Sequence, residues 1–225
     1  MSERFEASIF DYAKTIQKGE ILLVEYTSNE PIHLIFYIIL KYLRQNNIPF
    51  VIVDAVDQLH VFKTHLELGG IDTSVIEEAQ VIKFGGIVAT GKVLSKLDLE
   101  ADIPIWRKHF METLEKIDSY VVRVVVGAEK ILGLYENDPL TLESLFGMII
   151  RPFLGSKKTT GIVFLNKSLI GEKVIQEARE IASRVFDVEL SEGAITLKII
   201  KSINFDEYEK TITVKAQELQ DYLGK

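Results

Sequence analysis

Phosphate chemistry is the first possibility the residues raise. In "GIVATGKV", Gly86 to Val93, two glycines and Lys92 have the spacing of a phosphate-binding loop. In such a loop glycines let backbone N–H groups approach the phosphates, and the lysine neutralises them. The position that would hold Mg²⁺ through a hydroxyl is Val93, however, and Ile87-Val88-Ala89 reads as a continuing strand rather than an exposed cradle. A second stretch, "VEYTSNEPIHL" (24–34), lies between a strand-like run, Ile21 to Val24, and a helix-like run beginning at Ile32. A loop entering a helix N-terminus is a common anion site. This one contains neither glycine nor lysine; Thr27, Ser28 and Asn29 are its candidate ligand-binding residues.

Other groups carry weaker signals. "PIWRKHF" (104–110) could stack on and neutralise a nucleotide, but helical spacing puts Trp106 and Phe110 on a buried stripe and leaves Arg107 and Lys108 to solvent. His60 and His65 are five apart and do not share a helix face, so they make no metal pair. Without cysteine there is no thiolate ligand or nucleophile, and no G-x-S-x-G pattern supports a serine hydrolase. Asp138 or Thr141 reads as a helix cap in "LYENDPL", and Lys157-Lys158 as a solvated basic loop.

The elements that must position these residues alternate along the chain. Helical patterns at 5–17, 31–45, 57–68, 105–118, 140–153 and 171–184 are interleaved with strand-like runs at 20–26, 50–53, 81–84, 121–126 and 161–165. That alternation predicts a mostly parallel sheet with helices on both faces. Residues 186–190, 194–200 and 211–214 read as an antiparallel meander, closed by a helix at 215–223. No linker, repeat or low-complexity segment interrupts residues 1–225, which read as a single domain.

Composition narrows the function classes. A net charge of −7 disfavours nucleic-acid backbones and anionic membranes. The longest apolar run, Ile32 to Leu40, contains His33 and is too short for a membrane span, and the N-terminus has no apolar signal core, so a cytoplasmic protein is expected. Many Ile, Val, Glu and Lys residues and no cysteine suit a thermophile.

Gly19 followed by a strand, a loop, a long helix, a second strand and then "LGGID" resembles the RecA-like ATPase core, most closely its KaiC-like branch. The strands of "FDVELSEGAITLKIIKS" resemble the end of that core, and the likeness spans roughly residues 15 to 203. The chain also looks like a small family of uncharacterised proteins from hyperthermophilic archaea. The resemblance implies a three-layer RecA-like fold of the phosphate-loop NTPase type.

The resemblance also supplies tests of activity. Its phosphate loop falls on Tyr26 to His33, with Tyr26 and Pro31 for the glycines, Ile32 for the lysine and His33 for the hydroxyl. Pro31 removes an N–H from the helix start, and Glu30 places a negative charge there that favours the helix and repels a phosphate. Ser28 or Asn29 can then act as an ordinary helix cap. The strand 121–126 would end in a Mg²⁺-orienting aspartate, where Gly127 stands; Glu129, two residues on, reads as a surface carboxylate. The water-activating carboxylate pair falls on Val56 and Asp57, with Asp54 just before, and both aspartates could instead cap the next helix.

The expectation is therefore a non-catalytic relative of KaiC-like ATPases with no cofactor and no metal, working through a protein partner or self-association. The alternative is an atypical nucleotide-binding protein, with ATP and Mg²⁺ as cofactors and weak or no hydrolysis, held by Thr27, Ser28, Asn29, Asp54 and Asp57. A third reading, DNA association through a RecA-like assembly, sits poorly with the acidic charge.

Overall fold

A computed structural model describes residues 2–117 and 120–224. The first half contains α1 (Ser2–Ala13), β1 (Ile21–Tyr26), α2 (Ile32–Gln45), β2 (Phe50–Ala55), α3 (Gln58–Leu68), α4 (Ser74–Glu77), β3 (Gln80–Phe84), β4 (Lys92–Leu97) and α5 (Ile103–Leu114). The second half adds β5 (Val121–Val126), α6 (Ala128–Leu134), α7 (Pro139–Leu145), β6 (Thr159–Asn166) and α8 (Glu172–Ile181). It ends with β7 (Arg184–Ser191), β8 (Ala194–Lys201), β9 (Thr211–Lys215) and α9 (Ala216–Leu223).

The strands form one nine-stranded sheet in the order β4-β3-β2-β5-β6-β1-β7-β8-β9. β4 to β7 in that order are parallel, and β8 and β9 extend the sheet antiparallel. Central strands such as β1 and β2 are buried along nearly their whole length because helices cover both of their faces, and apart from Glu25 and Asp54 they are apolar or aromatic. On one face Leu22, Val24, Val122 and Val124 pack under α1, α2, α3 and α9, with Phe36 and Leu219 fully buried. On the other, Leu23, Val53, Ile82 and Val121 pack under α5 to α8, around Trp106 and Phe146.

Two local expectations need correction. The continuing strand expected at Ile87-Val88-Ala89 is an exposed loop, and the strand is β4, beginning at Lys92. Gly85, Gly86 and Gly91 hold positive φ and turn the chain before β4 can pair with β3. The single helix expected at 140–153 has three parts: α7, a π-helical turn at Phe146–Ile150 and a 3₁₀ turn at Arg151–Phe153. Pro152 has no N–H for the Met148 carbonyl, so an α-helix cannot run through it. The short helix α6, just after β5, was not anticipated.

Candidate functional site

Parallel sheets of this type bind ligands at the carboxyl ends of their strands, where the order of strands reverses. Here that rim is formed by Tyr26, Ala55, Phe84, Val126 and Asn166 and the loops that follow them. The structure brings Thr27, Ser28, Asp54 and Asp57 to this rim, and in each case another part of the chain already holds the polar group.

Ser28 and Asn29 do not cap α2, which is a correction to the sequence reading. Pro31 occupies the cap position, and no side chain bonds the first turn. The local fold turns instead on Glu30, whose carboxylate accepts the Thr27 N–H. Asn29 donates its N–H weakly to Thr27 Oγ1 at 3.4 Å. Ser28 Oγ accepts from the Asn166 amide at 3.0 Å and lies 3.4 Å from Ser168 Oγ, tying this loop to the end of β6.

The two aspartates behave differently from each other. Asp54, fully buried on β2, accepts the Leu59 N–H at 2.8 Å and so does cap α3. Asp57 occupies the cap position without capping; both it and Val56 hold positive φ, which aims the carboxylate away from the helix. It accepts the N–H groups of Ile87 at 2.7 Å and Val88 at 3.1 Å. The loop at Gly86 thus has the amides of an anion cradle, and the anion inside it is Asp57. A Cβ on Gly86 would lie 2.2 Å from Asp57 Oδ1, so only glycine allows this approach. Lys83 on β3 bridges both acids, 2.6 Å from Asp54 and 2.7 Å from Asp57.

The electrostatics follow. Partial burial opposes ionisation of Asp57, but Lys83 and the two amides win and hold it below the usual carboxylate range. Burial likewise opposes charge on Lys83, and the two aspartates override it and raise its pKa. At the end of β1, buried Glu25 receives a bidentate pair from Arg179 at 2.7 and 2.6 Å.

Glu129 is not on the surface, again contrary to expectation. Gly127 holds positive φ and turns the chain inward, leaving Glu129 2% exposed, with the Asn166 N–H at 3.4 Å. Burial raises its pKa, against the pull of its own amide, the Asn166 amide and Lys130. No spacing rule marks this residue as buried. The only signal available was a glycine directly after a strand.

Lys92 lies exposed at the start of β4, away from any helix N-terminus. Trp106 and Phe110 are core residues, and Arg107 and Lys108 are exposed. Asp138 caps α7 through the Thr141 N–H at 3.2 Å. Among the described residues no group of three or more His, Asp or Glu side chains is placed to hold a metal ion, and no helix is long and apolar enough to cross a membrane.

The chain belongs to the DUF257 family, described as Pyrococcus protein of unknown function, whose model matches residues 11–213. No curated protein matches it in sequence. Its fold is similar to that of a Pyrococcus horikoshii OT3 protein known from a structural study, with a TM-score of 0.77 and 23% identity over 90% of this chain and 96% of that one. It is also similar to the flagellar accessory protein FlaH from Methanocaldococcus jannaschii, with a TM-score of 0.60 and 15% identity over 91% and 90% of the two chains. These likenesses establish a RecA-like α/β fold with added antiparallel strands.

Proposed function

We propose that this DUF257 protein is a single-domain RecA-like module of KaiC-like descent that has lost its phosphate-binding loop and acts through protein contacts, in an interaction or regulatory role. The observation that carries this reading is Glu30. Its carboxylate accepts the Thr27 N–H in the turn before α2, so a negative group already occupies the place a phosphate would take. Glu25, Asp54, Asp57 and Glu129 add further acids around the same rim. Lys83, the lysine beside Asp54 and Asp57, is committed to both, and Lys130 donates to the Val56 carbonyl at 3.1 Å.

The aspartate position supports the same reading. A Cβ on Gly127 would stand 2.5 Å from the Ala55 carbonyl oxygen, which leaves no room there for a Mg²⁺-orienting side chain. The alternative, ATP and Mg²⁺ held by Asp54 and Asp57, would require breaking the Lys83 bridge and emptying the amide cradle.

A protein partner or a second copy finds suitable chemistry at the β4 edge. Val93 and Leu94 are 39% and 44% exposed there, and Ile87 in the preceding loop is 94% exposed. An uncovered edge strand with apolar side chains is a ready template for association.

The test is calorimetric titration of the purified protein with ATP and ADP, with and without Mg²⁺. No binding up to millimolar nucleotide is expected. Micromolar binding would overturn the reading.

A further inference from the structure

Two arginines are buried in this sheet, and their surroundings differ. Arg184, at the start of β7, is 2% exposed and matched by two carboxylates, Glu20 at 2.8 Å and Glu207 at 2.9 Å. Arg123, in the middle of β5, is 6% exposed, and among the described residues no carboxylate lies within salt-bridge distance of it. Its Nε donates to Thr159 Oγ1 at 3.0 Å, and the guanidinium carbon lies 3.7 Å from the centroid of the Phe153 ring. No other hydrogen bond joins the guanidinium to a described residue, so the Nη groups have no protein acceptor there. A buried cation without a counter-charge is strongly disfavoured.

The surroundings hold the group in place without neutralising it. Thr159 Oγ1 spends its own proton on the Val121 carbonyl at 2.8 Å, which fixes it as an acceptor for Arg123. Directly across from Arg123 on β6 is Gly161, where a Cβ would sit 3.2 Å from Nη2. Glycine at that point leaves the fork of N–H groups open. Burial pushes the guanidinium down to about 9, which still leaves it charged at neutral pH.

Arg123 borders a cavity of about 120 Å³ between the sheet and α5 to α8. The rest of the wall is apolar, including Val53, Phe110, Leu145 and Val163, and it is completed by Phe146 and Ile149 of the π-helical turn. Such turns within helices occur often at functional sites. One cation in an otherwise apolar cavity matches a ligand with a single anionic head and an apolar body. An apolar cavity of about 150 Å³ accommodates benzene, so this one admits a body of only a few carbons beyond the head.

We propose that this cavity binds a short aliphatic monocarboxylate, its carboxylate paired in a fork with the Arg123 Nη groups and its alkyl end among the apolar side chains. A carboxylate suits the planar guanidinium, which accepts two parallel bonds. The site lies on the α5–α8 face of the sheet and does not depend on whether the rim of the sheet binds nucleotide.

The experiment is calorimetric titration of the full-length protein with propionate and with its neutral counterpart, propionamide. Saturable binding of propionate is expected, at least about tenfold tighter than the amide, because only the acid neutralises the buried cation. Arg123→Met should abolish that preference. Replacing an unpaired buried charge with an apolar side chain of similar length is not expected to prevent folding, which circular dichroism checks. Equal affinity for acid and amide, or no binding of either at millimolar concentration, would overturn the proposal; both outcomes are read on the wild-type protein alone. Retention of the acid preference in folded Arg123→Met would overturn it too.

Discussion

Lys83 and Asp54 stand directly opposite each other on the parallel strands β3 and β2, with the ammonium 2.6 Å from the carboxylate and both side chains buried. Here the acid's second oxygen caps α3 through Leu59, so the pair and its hydrogen bonds are complete.

Lys83→Met removes the cation and leaves Asp54 charged in the core. The loss should be about 3–5 kcal/mol of unfolding free energy, read from denaturant midpoints. Changing both partners to apolar residues, Lys83→Met with Asp54→Leu, should recover a large part of it. A double variant as unstable as the single one would show that the ion pair is not the cause.

Gly127→Asp places a carboxylate where the proposed reading expects a Mg²⁺-orienting side chain. It should still fail to confer nucleotide binding, because positive φ and the Ala55 carbonyl at 2.5 Å stand against any Cβ at that position. Backbone strain of this kind costs about 1–3 kcal/mol. A lowered denaturation midpoint together with a flat nucleotide titration is the expected result.

Glu129→Gln tests the buried acid. The folded-state pKa is raised by burial, so Glu129 contributes most favourably when protonated, below its unfolded value. That contribution is lost as pH rises through the folded-state pKa. The amide should therefore stabilise the protein at neutral pH, on the order of 1 kcal/mol, and the gain should vanish in acid.

His33 gives the opposite pH dependence. Burial, and then the His65 ring 5.3 Å away, push its pKa down from 6.5 to about 4. The folded protein favours the neutral ring, so stability is full above the unfolded value and falls as pH drops from 6.5 toward 4. Chemical unfolding of His33→Gln should show less acid sensitivity than the parent over that window, by an amount on the order of 1 kcal/mol.

The sequence by itself determined the alternation of apolar strands and helices, hence a parallel sheet covered on both faces, and the antiparallel meander at its end. It also fixes which residue types stand at the rim: Pro31 and Ile32 at the start of α2 and Gly127 after β5, positions that on the proposed reading would carry a phosphate-loop glycine and lysine and a metal-orienting aspartate. These are local properties of residue type and period, and they are legible without a structure.

Which charges are matched was decided only in three dimensions. Asp54 and Asp57 look alike in sequence, yet one caps α3 and the other fills a cradle of amides thirty residues away. Glu129 reads as a surface residue until the left-handed turn at Gly127 carries it into the core. Arg123 and Arg184 both lie on strands of the sheet. Only the segment entering β1 and the turn between β8 and β9 bring Arg184 its two glutamates, Glu20 and Glu207, while β6 offers Arg123 a threonine and an open glycine. The period of a strand says which face a side chain takes. The partner it meets there comes from segments distant in the chain, and that pairing sets the energy of a buried charge.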